Sequence, residues 1–152
     1  MKQSRRIDPL LRRAQEHEDN VARDLAERQR TLAMHESRLE ELRRYAEEYA
    51  NSQMAATSPA QLANRRAFLD RIDDALKQQA QTVDRSRASV GIERDRLLLA
   101  SRDKQVLEQL AASYRVQERA VIERRDQREM DDLGARRSRL ASVAAQEGEE
   151  RS

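Results

Sequence analysis

Cysteine is absent from this chain of 152 residues, so no disulfide framework and no thiolate metal site is available to it. That absence is compatible with a reducing cytoplasm. Tryptophan is also missing, and three Tyr with one Phe bring the aromatic content to only 3% against 38% charged residues. So little bulky apolar material excludes a layered globular core and leaves a narrow apolar seam as the only surface the chain can bury. Glycine (3) and proline (2) are scarce, and apart from Gly91 they fall outside the long periodic runs. Continuous helix needs that scarcity, and strands are not expected. No apolar run approaches the ~20 residues of a membrane span, and no signal-type apolar core follows the basic N-terminus. A soluble cytoplasmic chain is the expectation. An excess of one charge is lacking too, since 30 basic and 28 acidic residues leave a net charge of +2. Mixed signs indicate solvated helix faces carrying local pairs rather than a polycation.

What the chain does have is a ladder of aliphatics, Leu62, Leu69, Leu76, Val83, Val90 and Leu97, at a strict spacing of seven. Such a ladder puts one apolar stripe along a helix, and the stripe needs a partner helix. Steps of three and four from Leu11 supply one through Ala14, Glu18, Val21, Leu25, Arg28, Leu32, His35, Leu39, Leu42, Ala46 and Tyr49. The expected fold class is all-α, a long antiparallel coiled-coil hairpin of two helices. Asp8 followed by Pro9 reads as a helix start, so helix one is expected over about 9–51. A turn follows over about 52–58, where Ser58, Pro59 and Gln61 form a capping-box pattern. Helix two is expected from 59 to about 133, continuing its pattern through Ala100, Leu107, Ala111, Tyr114 and Val121 and stopping at Gly134. The hairpin would then form a single domain over 1–134, and 135–152 reads as a disordered tail.

Two registers are available to this hairpin. Pairing residues whose numbers sum to 111 stacks Leu42 on Leu69, Leu39 on Ile72, Val21 on Val90, Tyr49 on Leu62 and Ala14 on Leu97. It centres on the turn and is preferred, although it faces Glu18 with Glu93. A slip of one heptad, to a sum of 118, instead brings Glu18 near Lys104 and Arg28 near Glu93.

Nothing in the sequence assembles an active site. Gly91, Gly134 and Gly148 are isolated, so no phosphate loop exists. His17 and His35 are eighteen residues apart on one helix, too far to share a metal or a proton. Paired acids such as Glu40 with Glu41 belong to a solvated helix surface, and a two-helix rod has no cleft in which to shift their pKa values. The expectation is a non-enzyme without cofactor or metal. The Arg clusters invite a nucleic-acid reading, but acids interleave with them and no aromatic lies among them to stack on a base. The aromatics are more informative. Tyr45, Tyr49 and Phe68 gather at the turn end, with Tyr45 and Phe68 at positions flanking the seam where charge is usual. They either seal the hairpin tip or form, with Leu42 and Ile72 beneath, a patch that a partner covers.

The Arg-rich start, the Tyr45-to-Tyr49 spacing closing helix one, the stretch Asn64 to Phe68 opening helix two, and the tract Glu123 to Leu133 with Asp126, Gln127, Met130, Asp131 and Asp132 together resemble the flagellar export protein family FliJ. The resemblance spans roughly Arg5 to Arg137. It implies a non-enzymatic stalk and adaptor of the flagellar type III export apparatus, set in the ring of the export ATPase FliI, engaging the export gate protein FlhA and serving export chaperones. It places the gate-binding surface on Leu42, Tyr45, Tyr49, Phe68 and Ile72, with Arg38 and Gln79 at other positions of that surface. The ATPase-ring surface would comprise Arg5, Arg6, Arg12, Arg13, Arg124, Arg125, Asp126, Gln127, Met130 and Asp131. The implied location is cytoplasmic, at the inner membrane of the flagellar base, with membrane contact only through the gate and no nucleic acid. A basic coiled coil that binds nucleic acid and the equivalent stalk of a virulence secretion system are the alternatives.

Overall fold

The structure is a computed structural model and describes residues 2–52 and 58–151. Two helices make up the fold, α1 (Lys2–Asn51) and α2 (Pro59–Glu150), and no strand occurs among the described residues. They pack against each other as an antiparallel hairpin. Most of the expected turn, residues 53–57, lies outside the described residues. Contacts divide the chain into two units, Arg13–Lys104 and the pair Met1–Arg12 with Gln105–Ser152.

In Arg13–Lys104 the seam follows the heptad pattern. Val21, Leu39, Ile72, Val83, Val90 and Ala100 are buried, and Leu25, Leu32, Leu42, Ala46, Leu69, Leu76 and Leu97 are half-buried. Its register differs from the preferred one. Lys104 Nζ reaches Glu18 Oε1 at 3.1 Å, Arg87 reaches Glu36 at 3.4 Å, and Gln79 Nε2 donates to the His35 carbonyl at 3.0 Å. These pairs bracket a sum of 118, and each exceeds 111. The slipped register removes the opposition of Glu18 and Glu93 and gives Glu18 a cation, which pairing by apolar residues alone does not weigh. Arg28 stays exposed and lines a polar notch with Asp24, Glu27, Thr31, Glu93 and Arg96. Glu93 is buried, and Arg96 holds both its carboxylate oxygens at 3.0 Å. Leu62, expected against Tyr49, is instead 57% exposed.

Both helix ends near the turn are capped. Ser58 Oγ accepts from Gln61 N at 3.2 Å, so Ser58 is an N-cap with Pro59 in the first helical position. At the end of α1, Ser52 N donates to Glu48 O at 2.9 Å. Arg65 Nη2 adds bonds to the carbonyls of Ala50 (3.3 Å) and Ser52 (3.1 Å). A guanidinium here satisfies carbonyls that the helix leaves unpaired and complements its dipole.

The other unit buries Ile7 and Ala111, with Leu11, Leu107 and Tyr114 half-buried. Here α1 begins seven residues before the expected start, with Pro9 inside it. Asp8 is no cap; it pairs with Arg115 at 3.5 Å. The N-terminal cap comes from α2, where the Glu118 carboxylate accepts from Ser4 N at 3.2 Å and Ser4 Oγ at 2.8 Å. That cap and the burial of Ile7 offset the backbone bond that Pro9 cannot make. The far end of α2 also departs from expectation. The helix continues through Gly134 to Glu150, and no glycine among the described residues has a positive φ. Residues 135–150, expected to be disordered, are therefore helical. A glycine permits a stop without enforcing one, and Ala, Arg, Leu and Glu beyond it favour helix enough to offset its cost of about 1 kcal/mol. Every described residue from Val121 onward is exposed.

Candidate functional site

The five residues of the aromatic patch all lie in the Arg13–Lys104 unit, and the structure brings three of them into ring contact. Phe68, from the third turn of α2, contacts two tyrosines of α1 one helical turn apart. Its centroid is 4.5 Å from Tyr49 in a tilted arrangement and 6.4 Å from Tyr45 edge to face. Tyr49 is half-buried and also lies 6.0 Å from the Arg65 guanidinium carbon. Tyr45 is 50% exposed. Leu42 and Phe68 are half-buried, whereas Ile72 is buried and can support the patch without being its surface.

Beside the rings runs a shallow groove lined by Arg38, Glu41, Leu42, Tyr45 and Gln79. The patch therefore has an apolar floor with a charged rim, the composition of a protein-binding surface. Two of its features are not evident from the sequence. Arg65 was one Arg among many, and only the register shows that it reaches the end of α1. Glu41 looked like solvated surface, and its neighbours show it to be rim.

The second set of residues lies along exposed helix. Arg5, Arg6 and Arg12 are exposed on α1 in the Met1–Arg12 unit, and Arg13, also exposed, belongs to the other unit. Arg124, Arg125, Asp126, Gln127, Met130 and Asp131 are exposed on α2. Gln127 Nε2 donates to Asp131 Oδ1 at 3.2 Å, one turn on. Arg124, Arg125 and Arg128 flank Val121 in a shallow depression. Gln3 of α1 lines a depression with Val121, Ile122 and Arg125, and the side chains of the stretch are presented to solvent as a polar helix face.

Chemical groups that could catalyse a reaction are not gathered in either place. Among the described residues no three His, Cys, Asp or Glu side chains converge to hold a metal ion. Among the described residues no helix is long and apolar enough to cross a membrane. The arrangement suits binding: an aromatic patch on one stretch and an uncovered charged helix on another.

No curated protein and no solved structure matches the chain at a significant level. A family does match. The model of the flagellar FliJ protein family aligns with residues 2–142, a span that takes in the aromatic patch and the charged tract of α2. On that match the chain belongs to the flagellar FliJ protein family.

Proposed function

We propose that this chain is a non-enzymatic stalk and adaptor of the flagellar type III export apparatus, linking the export ATPase ring to the export gate and to chaperones. Membership of the family implies a role in flagellar export. The observation that carries the finer reading is the uncovered part of α2. Every residue from Val121 to Glu150 is exposed on α2, and the charged tract Glu123 to Leu133 lies within that stretch. An exposed helix presenting Arg124, Arg125, Gln127 and Asp131 fits a polar socket formed by a ring of subunits. Its contacts would each contribute about a kcal/mol or less and would sum over many. The aromatic patch of Tyr45, Tyr49 and Phe68, in the other unit, is the surface for the gate.

Titration of the purified chain against the export ATPase and against the cytoplasmic part of the gate protein tests this reading. Charge reversal at Arg124 and Arg125 should weaken ATPase binding at least about tenfold and spare the gate. Tyr45→Ala with Phe68→Ala should weaken gate binding at least about tenfold and spare the ATPase. Salt-sensitive binding to duplex DNA near physiological ionic strength, with no binding to the ATPase, overturns the proposal.

A further inference from the structure

The seam of Arg13–Lys104 contains two solutions one heptad apart. In the observed register Val21 is level with Leu97, Leu42 with Leu76 and Tyr49 with Leu69. The same register sets Leu39 level with Gln79, Leu25 with the buried Glu93 and Arg28 with Val90. Sliding α2 by seven residues matches Leu39 with Ile72, Leu42 with Leu69, Val21 with Val90 and Leu25 with Ser86. Apolar pairing is thus at least as good in the register the chain does not adopt.

Leu62 makes the same point. As the first rung of the aliphatic ladder it lies 57% exposed, and the slide would set it against Tyr49. The observed register is selected by polar contacts. Glu18–Lys104 is the most enclosed, its side chains 21% and 22% exposed; Glu36–Arg87 and the bond from Gln79 to the His35 carbonyl add to it. Each is broken by a shift of seven, and Glu18 then comes level with Glu93.

We infer that the hairpin is a two-register device, in which α2 slides along α1 by one heptad, ~10.5 Å, and the Glu18–Lys104 pair is the latch that holds the observed state. The slide would part Phe68 from Tyr49 and bring Leu62 in its place, remaking the aromatic patch without unfolding either helix. Neutralising or outcompeting the latch therefore alters a surface at the other end of the same unit.

Engineered cysteine pairs can read the register cleanly, because the chain has no cysteine of its own. Leu42→Cys with Leu76→Cys reports the observed register, and Leu42→Cys with Leu69→Cys reports the slid one. Leu42→Cys with Val83→Cys, displaced by a heptad in the opposite sense, measures closure through fraying. A pair out of register by ~10.5 Å along the axis cannot reach the Cα separation of below about 7 Å that a disulfide needs.

In the full-length parent the 42–76 pair should close fastest under mild oxidation, with the 42–69 pair slower but above the 42–83 control. Lys104→Glu, which faces Glu18 with a like charge, should raise the 42–69 to 42–76 ratio at least about fivefold while helicity is retained. Lys104→Met serves the same purpose should the charge reversal unfold the chain. Closure of the 42–69 pair no faster than the control in every background overturns the second register, and a ratio unmoved by both substitutions overturns the latch.

Discussion

Phe68 holds its ring 4.5 Å from Tyr49 but 6.4 Å from Tyr45, so the two tyrosines that flank it are not equivalent. Tyr49 is committed to the hairpin, sharing its faces with Phe68 and Arg65, whereas Tyr45 turns half its surface to solvent. Tyr49 and Phe68 therefore help seal the hairpin tip, while Tyr45 keeps half its surface open. Phe68→Ala should lower the stability of the hairpin by roughly 1–2 kcal/mol, from the lost aromatic pair and part of its burial. Tyr45→Ala should change it by less than about 0.5 kcal/mol, as exposed substitutions do. Equal losses for the two in chemical denaturation would show that Tyr45 is as structural as Phe68.

Val21 tests the seam, being only 1% exposed. Val21→Ala removes two carbons from a closely covered site and should cost about 2 kcal/mol once the residual cavity is included. Arg28→Ala, at a seam position that proves exposed, should cost less than about 0.5 kcal/mol. Their melting temperatures should separate accordingly, and similar values would contradict the burial that distinguishes them.

Most of the fold was legible because a spacing of seven is a strong signal. Val21, Leu39, Val83 and Val90 fall on the predicted stripe and are buried. The register was not legible from the same signal, since a heptad ladder slid by seven residues lands on itself. Glu18, Lys104 and Glu93 break that degeneracy, and their weight depends on which partner each meets across the seam. The helix ends failed for another reason. Pro9 is a local start signal and Gly134 a local stop signal, and each was overruled by its surroundings: Ser4 bonds to Glu118 of α2 and Ile7 is buried, and good helix formers follow Gly134. The clustering of the rings was legible because aromatics are so few, but the different environments of Tyr45 and Tyr49 follow from ring geometry that spacing does not encode.

The Glu18–Lys104 pair is partly withdrawn from water, which sets it apart from the pairs Glu36–Arg87 and Asp8–Arg115. A double-mutant cycle of Glu18→Gln and Lys104→Met should give a coupling of about 1 kcal/mol at low salt. The cycle of Glu36→Gln with Arg87→Met should give a few tenths. Raising ionic strength to ~1 M, where the screening length falls to ~3 Å, should erase the second coupling and leave part of the first. Equal couplings with equal salt dependence would place both pairs on the solvated surface.

Pro9 lies inside α1 and cannot supply the backbone N–H that would bond to the Arg5 carbonyl, four residues back. The first turn is held instead from the side, by Glu118 on Ser4 and by the burial of Ile7. Pro9→Ala restores the missing bond and relieves the ring's clash with the preceding turn, so it should stabilise the N-terminal turns of α1 by about 1–3 kcal/mol. Amide exchange is the suitable readout, because the gain is local and a global melt would dilute it. Protection of the amides of Ile7 and Leu11 should rise by at least about fivefold at neutral pH. Glu118→Gln should act in the opposite sense, since a neutral amide is a weaker acceptor for the Ser4 N–H and gives up the favourable charge at the helix N-terminus. Combining the two substitutions should return protection toward that of the parent if both act on the same turns. Were Pro9→Ala to leave exchange at Ile7 unchanged, the helix would in effect begin at the proline, and the seven residues before it would contribute nothing to the hairpin.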